Sequence, residues 1–385
     1  MLDFSQELQM RRAQGLYRRL HVYPTIAPPR FPLQPAILNF ASNDYLNLSR
    51  HPRLQKAAAK ALKRWGCGAC ASRLVCGTHE VHEALEKALA EFMGTEAALA
   101  YPSGYQGNIG VLSALAGRED AVFSDALNHA SLIDGIRLSR AAVYIYRHGD
   151  VEHLESLLRT APPARRRFIV TDAVFSMDGD VAPLPALRDL AGKYEAALIV
   201  DEAHALGIFG EGRGLCAELG VTADVRLGTL SKAFGAAGGF AACTMQVREW
   251  LINSSRAFIF STGLAPACAA SALEALTLIR ENPTWGLTLR CRAQRFAEYL
   301  SAAECPVSPA ASAIVPVVIG NNDAVVGIAE ALRAENIWVG AIRPPSVPEG
   351  TARLRLALTL AHDDGVLEHA AASIATVVRR YRGAP

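Results

Sequence analysis

The stretch "AALIVDEAHALG", residues 196–207, passes from five apolar residues directly to acids and a histidine. A second stretch, "TLSKAFGAAGG" at 229–239, sets one lysine among small residues. Short apolar runs that end in polar residues are typical of strands buried on both faces of a parallel sheet. Ligands bind at the carboxyl ends of such strands, so Asp201, His204 and Lys232 are predicted to meet at one edge. Polar residues follow other apolar runs at Asp125, His129, Asp172 and Ser176.

Apolar runs of similar length recur along the chain, and helical patterns such as 184–194 fill most of the gaps. The runs lie at 97–101, 121–124, 142–146, 168–171, 197–200 and 238–244, and "ADVRLGTLS" at 223–231 can supply another. This alternation predicts an α/β fold with a mainly parallel sheet. We expect an N-terminal helix and Pro-rich connector at 1–45, a large domain with a seven-stranded sheet at 46–282, and a smaller α+β domain at 283–385.

The composition excludes several classes of protein. The chain has 385 residues, of which 51% are apolar, enough for a sizeable core. Lys and Arg number 39 and Asp and Glu 37, so the charge gives no reason to expect nucleic acid or a membrane surface as a partner. The N-terminal segment is charged from its start, unlike a secretory leader, and no apolar run approaches the ~20 residues of a membrane span. We therefore expect a soluble, cytoplasmic protein.

Eight cysteines are scattered along the chain, a density unlike that of a disulfide scaffold. The stretch "CGAC" at 67–70, with Cys76 and His79 nearby, has the residue types of a zinc or redox site. Its spacing is irregular and small residues fill the gaps, so a tightly packed loop is favoured and no metal is predicted.

Three other functional motifs are missing from the sequence. It lacks the Gly-x-Gly-x-x-Gly turn of dinucleotide-binding proteins between a strand and a helix, the Walker phosphate loop and the Gly-x-Ser-x-Gly elbow of hydrolases.

The isolated lysine indicates covalent chemistry with a carbonyl compound. A desolvated lysine amine forms imines, and pyridoxal phosphate uses such an imine together with a nearby carboxylate. Asp201 and Lys232 are 31 residues apart, the length of one β-α-β step. Taken alone, Asp201 could cap a helix, His204 could be a core histidine and Lys232 could extend to solvent. Their order and spacing together favour the cofactor site, where His129 could stack and the Thr229 hydroxyl could meet phosphate.

A series of motifs resembles the α-oxoamine synthases, pyridoxal-phosphate enzymes of the aspartate-aminotransferase fold. The resemblance runs from about Phe40 to the C-terminus. The motifs are "SNDYLNLS" at 42–49, "YPSGYQGN" at 101–108, "DALNHASLIDG" at 125–135, "VFSMDGDVAPL" at 174–184, "VDEAHALGIFGEGRG" at 200–214 and "TLSKAFGAAGG". Such a series in one order is highly specific. It implies this fold, pyridoxal 5'-phosphate as cofactor and a homodimer with shared active sites.

The resemblance also implies a catalytic role for four residues. Lys232 forms the imine with the cofactor, and Asp201 pairs with the protonated pyridine nitrogen. His204 contacts the phenolic oxygen, and His129 stacks on the ring. Further cofactor contacts are implied at Gly104, Tyr105, Ser176 and Thr229, and Ser261 and Thr262 match a segment that contacts the phosphate in the partner subunit. Substrate binding is implied at Arg18, Asn43, His129, Arg343, Ser346 and Arg355, the last holding the amino-acid carboxylate.

The stretch "WVGAIRPPSVPEGTARLRLALT" at 338–359 is similar to the biotin-pathway member of this family. That likeness implies a condensation of L-alanine with pimeloyl-CoA or a pimeloyl carrier protein. Another family member, using glycine or serine with a different acyl group, stays open as an alternative. So do an aminotransferase of the same fold and a non-catalytic binding protein, although the latter would be expected to lose Lys232 or Asp201.

The sequence departs from the family pattern in three places, the first being the loop "GCGACASRLVCGTH" at 66–79 where the family has a Gly-Ser-rich loop. Asn47 stands where the family usually has glycine, which predicts a positive φ that asparagine tolerates better than most residues. Ser346 stands where threonine is common, and it keeps the hydroxyl group. The cysteines at 67, 70 and 76 remove no group that the implied chemistry requires.

Overall fold

The computed structural model describes residues 2–21 and 37–382. Its helices are α1 (Ser5–Ala13), α2 (Pro52–Trp65), α3 (Glu80–Met93), α4 (Gly104–Leu115), α5 (Ala130–Ser139), α6 (Val151–Thr160), α7 (Leu184–Lys193), α8 (Leu215–Glu218), α9 (Met245–Ser254), α10 (Arg256–Ile259), α11 (Pro266–Glu281), α12 (Trp285–Ala302), α13 (Asn322–Ala334) and α14 (Asp364–Arg382). Its strands are β1 (Leu38–Asn39), β2 (Ala97–Tyr101), β3 (Ala121–Asp125), β4 (Ala142–Tyr146), β5 (Arg167–Asp172), β6 (Ala196–Asp201), β7 (Val225–Thr229), β8 (Gly239–Cys243), β9 (Ile314–Gly320), β10 (Ile337–Trp338), β11 (Gly340–Ile342) and β12 (Ala352–Ala357). The Pro-rich connector predicted between 23 and 35 lies outside the described residues.

The chain divides into two compact units. The larger unit comprises Leu46–Ser176 and Asp180–Leu287, and the smaller unit comprises Met1–Tyr45, Met177–Gly179 and Thr288–Pro385. The domain boundaries expected from the sequence, after residues 45 and 282, stay a prediction.

The larger unit is built on a seven-stranded sheet in the order β2-β8-β7-β6-β5-β3-β4. Strands β4, β3, β5, β6 and β7 pair in parallel, whereas β8 is antiparallel to both β7 and β2. The mainly parallel sheet predicted from the sequence is therefore confirmed. β8 reverses direction because only a tight loop joins it to β7, closed by a 2.9 Å hydrogen bond from Leu230 N–H to the Gly238 carbonyl. Parallel strands would need a much longer crossover.

Burial explains why the strands read as unbroken apolar runs. Every residue of β2, β3, β7 and β8 is buried, because helices cover both faces of the sheet. The exception is β4, which forms an edge of the sheet and leaves Val143 and Ile145 exposed. The apolar core therefore holds the carboxyl ends of β3, β5, β6 and β7 in register, and the register pairs Asp172 directly with Asp201.

One turn in the larger unit confirms a prediction about backbone conformation. Asn47 adopts φ of 55°, the left-handed conformation expected where the family usually has glycine. Glycine is required in the loop between β7 and β8 for a different reason. At Gly235, φ is 60° and an added Cβ would lie 2.3 Å from the backbone nitrogen of Ser49. The loop that carries Lys232 therefore packs against the segment that follows Asn47.

The smaller unit contains an antiparallel sheet in the order β11-β12-β9 and a parallel pair, β1 and β10. Strands β10 and β11 are separated by Val339 alone. The N-terminal helix expected from the sequence is present as α1 (Ser5–Ala13). It ends at Ala13 because Gly15, with φ of 65°, turns the chain, and none of its residues is buried.

The described residues contain neither a candidate membrane span nor a candidate metal-ion cluster. No described helix is long and apolar enough to cross a membrane. Among residues 2–21 and 37–382, no group of three or more His, Cys, Asp or Glu side chains is arranged to hold a metal ion. Cys67, Cys70 and Cys76 are all exposed thiols.

Candidate active site

The candidate site lies at the carboxyl ends of the parallel strands in the larger unit. Asp201 ends β6 and is 4% exposed. Its Oδ2 accepts a 2.7 Å hydrogen bond from the amide nitrogen of Asn108, and its Oδ1 accepts one of 2.9 Å from the Ala203 backbone N–H. A carboxylate has about four acceptor positions, so these two neutral donors leave capacity for a cationic N–H. This is the environment that a protonated pyridine nitrogen requires.

Lys232 and His204 lie in direct contact. The Lys232 amine is 2.8 Å from Nε2 of His204, and the histidine is buried. The loop between β7 and β8 holds the lysine in place through backbone hydrogen bonds, including one from the Gly235 N–H to the Lys232 carbonyl. The sequence placed these two residues at separate strand ends, and the fold brings their nitrogen atoms together. An amine and an imidazole in contact can hold neighbouring oxygen and imine groups of one ligand.

His129 occupies the N-cap position of α5, where its Nδ1 accepts the Ser131 backbone N–H at 3.3 Å. Its own backbone N–H donates to Oδ2 of Asp172 at 2.7 Å, which ties the start of the helix to the end of β5. Burial and the charge of Lys232 lower the pKa of His129, although Asp201 opposes them. The charges of Asp201 and Lys232 therefore both act on this one imidazole, as a shared site requires.

Asp172 is a second buried carboxyl group beside Asp201. Its burial, together with the negative charge of Asp201, raises its pKa well above the ordinary range. The hydrogen bond from His129 opposes that shift and does not overcome it. The raised pKa favours the neutral form of Asp172.

The first turn of α4 packs tightly against the ends of β7 and β8. An added Cβ at Gly104 would lie 3.2 Å from Cβ of Thr229, and one at Gly239 would lie 2.5 Å from Cα of Gly104. The hydroxyl groups of Thr229 and Ser231 are 2.7 Å apart. Free N–H groups at a helix N-terminus attract anions. Together with these hydroxyls, the start of α4 can hold a phosphate group.

Tyr105 follows Gly104 on α4 and lies beside His129. The two rings meet edge to face with centroids 6.4 Å apart. The phenol of Tyr105 donates to the carboxylate of Asp134, and this hydrogen bond raises the pKa of Tyr105. The side chain is 43% exposed, so it can stand against a ligand that enters the site.

The remaining cofactor residues predicted from the sequence lie in the same unit. Ser261 Oγ accepts a 3.2 Å hydrogen bond from the amide nitrogen of Gln106, in the first turn of α4. Thr262 is exposed and forms a β-bridge with Ser72. Ser176 follows β5, next to the bridge between Val174 and Val181. Their roles toward a cofactor stay predictions.

Apart from His129, the predicted substrate residues lie in the smaller unit and form two groups. Arg355, on β12, is buried and donates to the Tyr45 hydroxyl at 3.3 Å, and that hydroxyl lies 3.4 Å from Oδ1 of Asn43. In the second group, Arg18 lies 3.4 Å from the Ser346 hydroxyl. Arg343 donates a 2.8 Å hydrogen bond to the Gly15 carbonyl. Burial lowers the pKa of Arg343, and the positive charge of Arg18 lowers it further.

His148, for which the sequence gives no functional signal, joins two segments near the site. Its Nδ1 lies 2.9 Å from Asp125 at the end of β3, and its Nε2 lies 2.8 Å from Asp180 in the segment after Ser176. These two carboxylates raise the pKa of His148 to about 10. Asp125 also accepts the backbone N–H of Leu127, in the turn that leads to His129. The imidazolium therefore links the turn before His129 to the segment after Ser176.

We expect replacement of His148 with glutamine to destabilise the protein at pH 7 by about 1–3 kcal/mol, because two charge-assisted hydrogen bonds are lost. The folded pKa of about 10 lies above the unfolded value near 6.5, so this stabilisation is complete below pH ~6.5. It declines as the pH rises through about 10. Thermal unfolding of the two proteins from pH 6 to 10.5 measures the difference. His369 is an exposed histidine, so His369→Gln is the matched control. Equal melting temperatures for all three proteins at pH 7 would refute a stabilising role for the contacts of His148 with Asp125 and Asp180.

The assembled residues fit pyridoxal phosphate group by group. The cofactor has an aldehyde for Lys232, a phenolic oxygen for His204, a basic ring nitrogen for Asp201 and a phosphate for the start of α4. The close packing of Gly239 against Gly104 brings the end of the β7–β8 loop up to the start of α4.

Comparisons with known proteins agree with this fit. The family described as "Aminotransferase class I and II" matches residues 35–374. The 8-amino-7-oxononanoate synthase of Geobacter sulfurreducens is 46% identical over 96% of each chain, and that of Citrifermentans bemidjiense is 44% identical over 99% of each chain. Among solved structures, a serine palmitoyltransferase of Sphingomonas wittichii has a TM-score of 0.93 at 30% identity, covering 99% of this chain and 98% of its own.

A solved 8-amino-7-oxononanoate synthase of Francisella tularensis is also similar. It has a TM-score of 0.77 at 27% identity and covers 89% of this chain and 98% of its own. These matches extend over nearly the whole of this chain and of its relatives. The chain therefore belongs to the class I and II aminotransferase family and, within it, to the pyridoxal-phosphate-dependent acyltransferases of the 8-amino-7-oxononanoate synthase family.

Proposed function

We propose that this chain condenses L-alanine with a pimeloyl thioester to give 8-amino-7-oxononanoate, CO2 and a free thiol, in biotin biosynthesis. The carrying observation is the 44–46% identity to synthases of that name over 96–99% of the chain. The larger unit supports it, because Lys232, His204, Asp201 and His129 are assembled as this chemistry requires.

Bound pyridoxal phosphate supplies an electron sink that stabilises the carbanion formed when an amino acid loses its Cα proton. Lys232 Nζ removes that proton and later returns one to the same carbon, once CO2 has left. His204, 2.8 Å from Nζ, keeps the amine in the site while it carries the proton. Asp201 holds the ring nitrogen, and its buried position strengthens that interaction.

Two further roles concern the substrates. His129 donates a hydrogen bond to the carbonyl oxygen of the thioester as negative charge develops there. Arg355 binds the alanine carboxylate, an assignment that rests on the resemblance and on its contact with the Tyr45 hydroxyl. Arg18, Arg343 and Ser346 are assigned to the acyl substrate on the resemblance and on their mutual proximity.

A product assay tests the proposed function. Purified protein with pyridoxal phosphate is given alanine, glycine or serine, each with pimeloyl-CoA, a pimeloyl carrier protein or palmitoyl-CoA, and the products are identified by mass. We expect 8-amino-7-oxononanoate from alanine with a pimeloyl donor, at a rate at least about tenfold above other pairs. The same assay with α-ketoglutarate as the only acceptor tests for aminotransferase activity.

One observation favours a second candidate, the condensation of serine with palmitoyl-CoA. The Sphingomonas wittichii serine palmitoyltransferase has the higher TM-score, 0.93 against 0.77 for the Francisella tularensis synthase. Its 30% identity is well below the 44–46% of the synthases from Geobacter sulfurreducens and Citrifermentans bemidjiense. A palmitoyl product from serine, with none from alanine and a pimeloyl donor, would replace the first proposal with the second.

We also propose a homodimer that shares its active sites through Ser261 and Thr262. Apolar side chains are exposed near this segment, with Phe260 71% exposed and Val75, beyond the bridged Ser72, 78% exposed. Exposed apolar patches of this kind mark contact surfaces. The cytoplasmic location expected from the sequence stays a prediction.

A further inference from the structure

A chain of hydrogen bonds joins His129 to Asp201 through two side chains on adjacent helices. The Ser131 hydroxyl, on α5, lies 2.7 Å from Nδ1 of His129 and 2.8 Å from the amide nitrogen of Asn108 on α4. The same amide nitrogen lies 2.7 Å from Oδ2 of Asp201. Asn108 is 4% exposed and Ser131 is 1% exposed, so solvent does not compete for these contacts.

The direction of each hydrogen bond follows from the carboxylate end of the chain. A carboxylate only accepts hydrogen bonds, so Asn108 must present its NH2 group to Asp201. The second N–H of that group donates to the Ser131 oxygen, at 2.8 Å. The Ser131 hydroxyl proton is then available for its other neighbour, Nδ1 of His129. The backbone N–H of Ser131 also donates to Nδ1, at 3.3 Å. Nδ1 therefore receives two donors and accepts hydrogen bonds only.

The protonation state of His129 completes the assignment. Burial and the nearby Lys232 charge lower the pKa of His129, which favours the neutral ring at neutral pH. A neutral imidazole carries one N–H, and its position is set by the hydrogen bonds of the other nitrogen. Since Nδ1 is an acceptor, the proton must reside on Nε2.

We propose that Asn108 and Ser131 are positioning residues that hold neutral His129 as the Nε2–H tautomer, with Asp201 as the fixed end of the chain. The use of this tautomer rests on the proposed function, in which Nε2–H donates to the thioester carbonyl oxygen. The opposite tautomer would present a lone pair to that oxygen and would repel the developing charge. Asn108 and Ser131 thus orient both Asp201, the proposed partner of the ring nitrogen, and His129, the proposed donor to the thioester oxygen.

NMR spectroscopy of the holoenzyme labelled with 15N-histidine tests the tautomer directly. Two-bond 1H–15N correlations distinguish a protonated ring nitrogen from an unprotonated one. The chain has ten histidines, and the His129 signals are those missing from a His129→Asn variant. We expect an unprotonated Nδ1 and a protonated Nε2. A protonated Nδ1 in the wild-type protein would overturn the proposal, whatever the variants do.

Two variants test whether the side chains impose the tautomer. In Ser131→Ala and Asn108→Ala we expect Nδ1–H signals to appear for His129, with kcat about 10- to 100-fold lower and the KM for alanine changed less than about threefold. Ser139→Ala is the matched control, because Ser139 is a buried serine on the same helix whose hydroxyl bonds to the Ile136 carbonyl. It should keep the wild-type spectrum. If folded Asn108→Ala and Ser131→Ala keep the His129 tautomer unchanged, the Ser131 backbone N–H alone sets the tautomer. That result would overturn the positioning role of the two side chains.

The NMR spectrum tests the tautomer and the product assay tests the proposed function, and either proposal can be refuted without the other. Wild-type protein that makes 8-amino-7-oxononanoate while His129 carries Nδ1–H would refute the tautomer and leave the proposed function intact. Protein with the Nε2–H tautomer that condenses a different amino acid and acyl group would refute the proposed function and leave the positioning role intact.

Discussion

Replacing Lys232 with alanine is expected to lower kcat by at least about 10⁴-fold, the largest loss we expect from any single substitution in this chain. In the proposed function, Lys232 attaches the cofactor covalently and is the base that moves the Cα proton, so alanine would remove both functions. The place of Lys232 depends on the tight loop between β7 and β8 and on the 2.8 Å contact with His204, so we expect no rescue by another lysine. Turnover with alanine and a pimeloyl thioester measures the loss.

Two companion variants separate the covalent role from charge and from general damage. Lys232→Arg keeps a cation but cannot form the imine, so it should be as inactive as alanine and should lack the absorbance of lysine-bound cofactor. Lys60→Ala changes an exposed lysine on α2 and should retain wild-type activity and absorbance. Activity of Lys232→Arg within about tenfold of wild type would contradict the covalent assignment.

The fold was largely predictable because its central sheet is buried on both faces. That burial makes each strand an unbroken apolar run, and the chemistry falls where each run ends, as at Asp201 and Thr229. The reversal of β8 was not predicted, because its apolar sequence is the same for either direction of pairing. The short connection after β7, closed by the 2.9 Å hydrogen bond from Leu230 to Gly238, sets that direction.

The sequence carries a weaker signal for the supporting residues of the site than for Lys232 and Asp201. Asn108 and Ser131 lie within the motifs "YPSGYQGN" and "DALNHASLIDG", yet an amide or hydroxyl on a helix usually has a local role. Their function arises only when α4 and α5 pack together and bring both side chains between His129 and Asp201. His148 lies in an ordinary turn sequence, "RHGD", and its two carboxylate partners are 23 and 32 residues distant.

Asp201 and Asp172 present a sharper test, because two adjacent buried carboxyl groups are expected to respond differently to the same substitution. Asp201→Asn should lower kcat by about 10³-fold, since an amide cannot hold the pyridine nitrogen in its protonated form, and it would set an NH2 group against that of Asn108. Cofactor attachment to Lys232 should persist, which distinguishes this variant from Lys232→Ala.

Asp172→Asn is the matched comparison. Burial and the Asp201 charge raise the pKa of Asp172, so its neutral acid resembles an amide, and the asparagine oxygen can still accept the His129 backbone N–H. We expect its kcat to fall less than about tenfold. The decisive measurement is the ratio of the kcat values of Asp172→Asn and Asp201→Asn, determined at pH 7 with folded, cofactor-loaded proteins. Equal losses would mean that both carboxyl groups act as anions, and Asp201 could then not be the principal partner of the ring nitrogen.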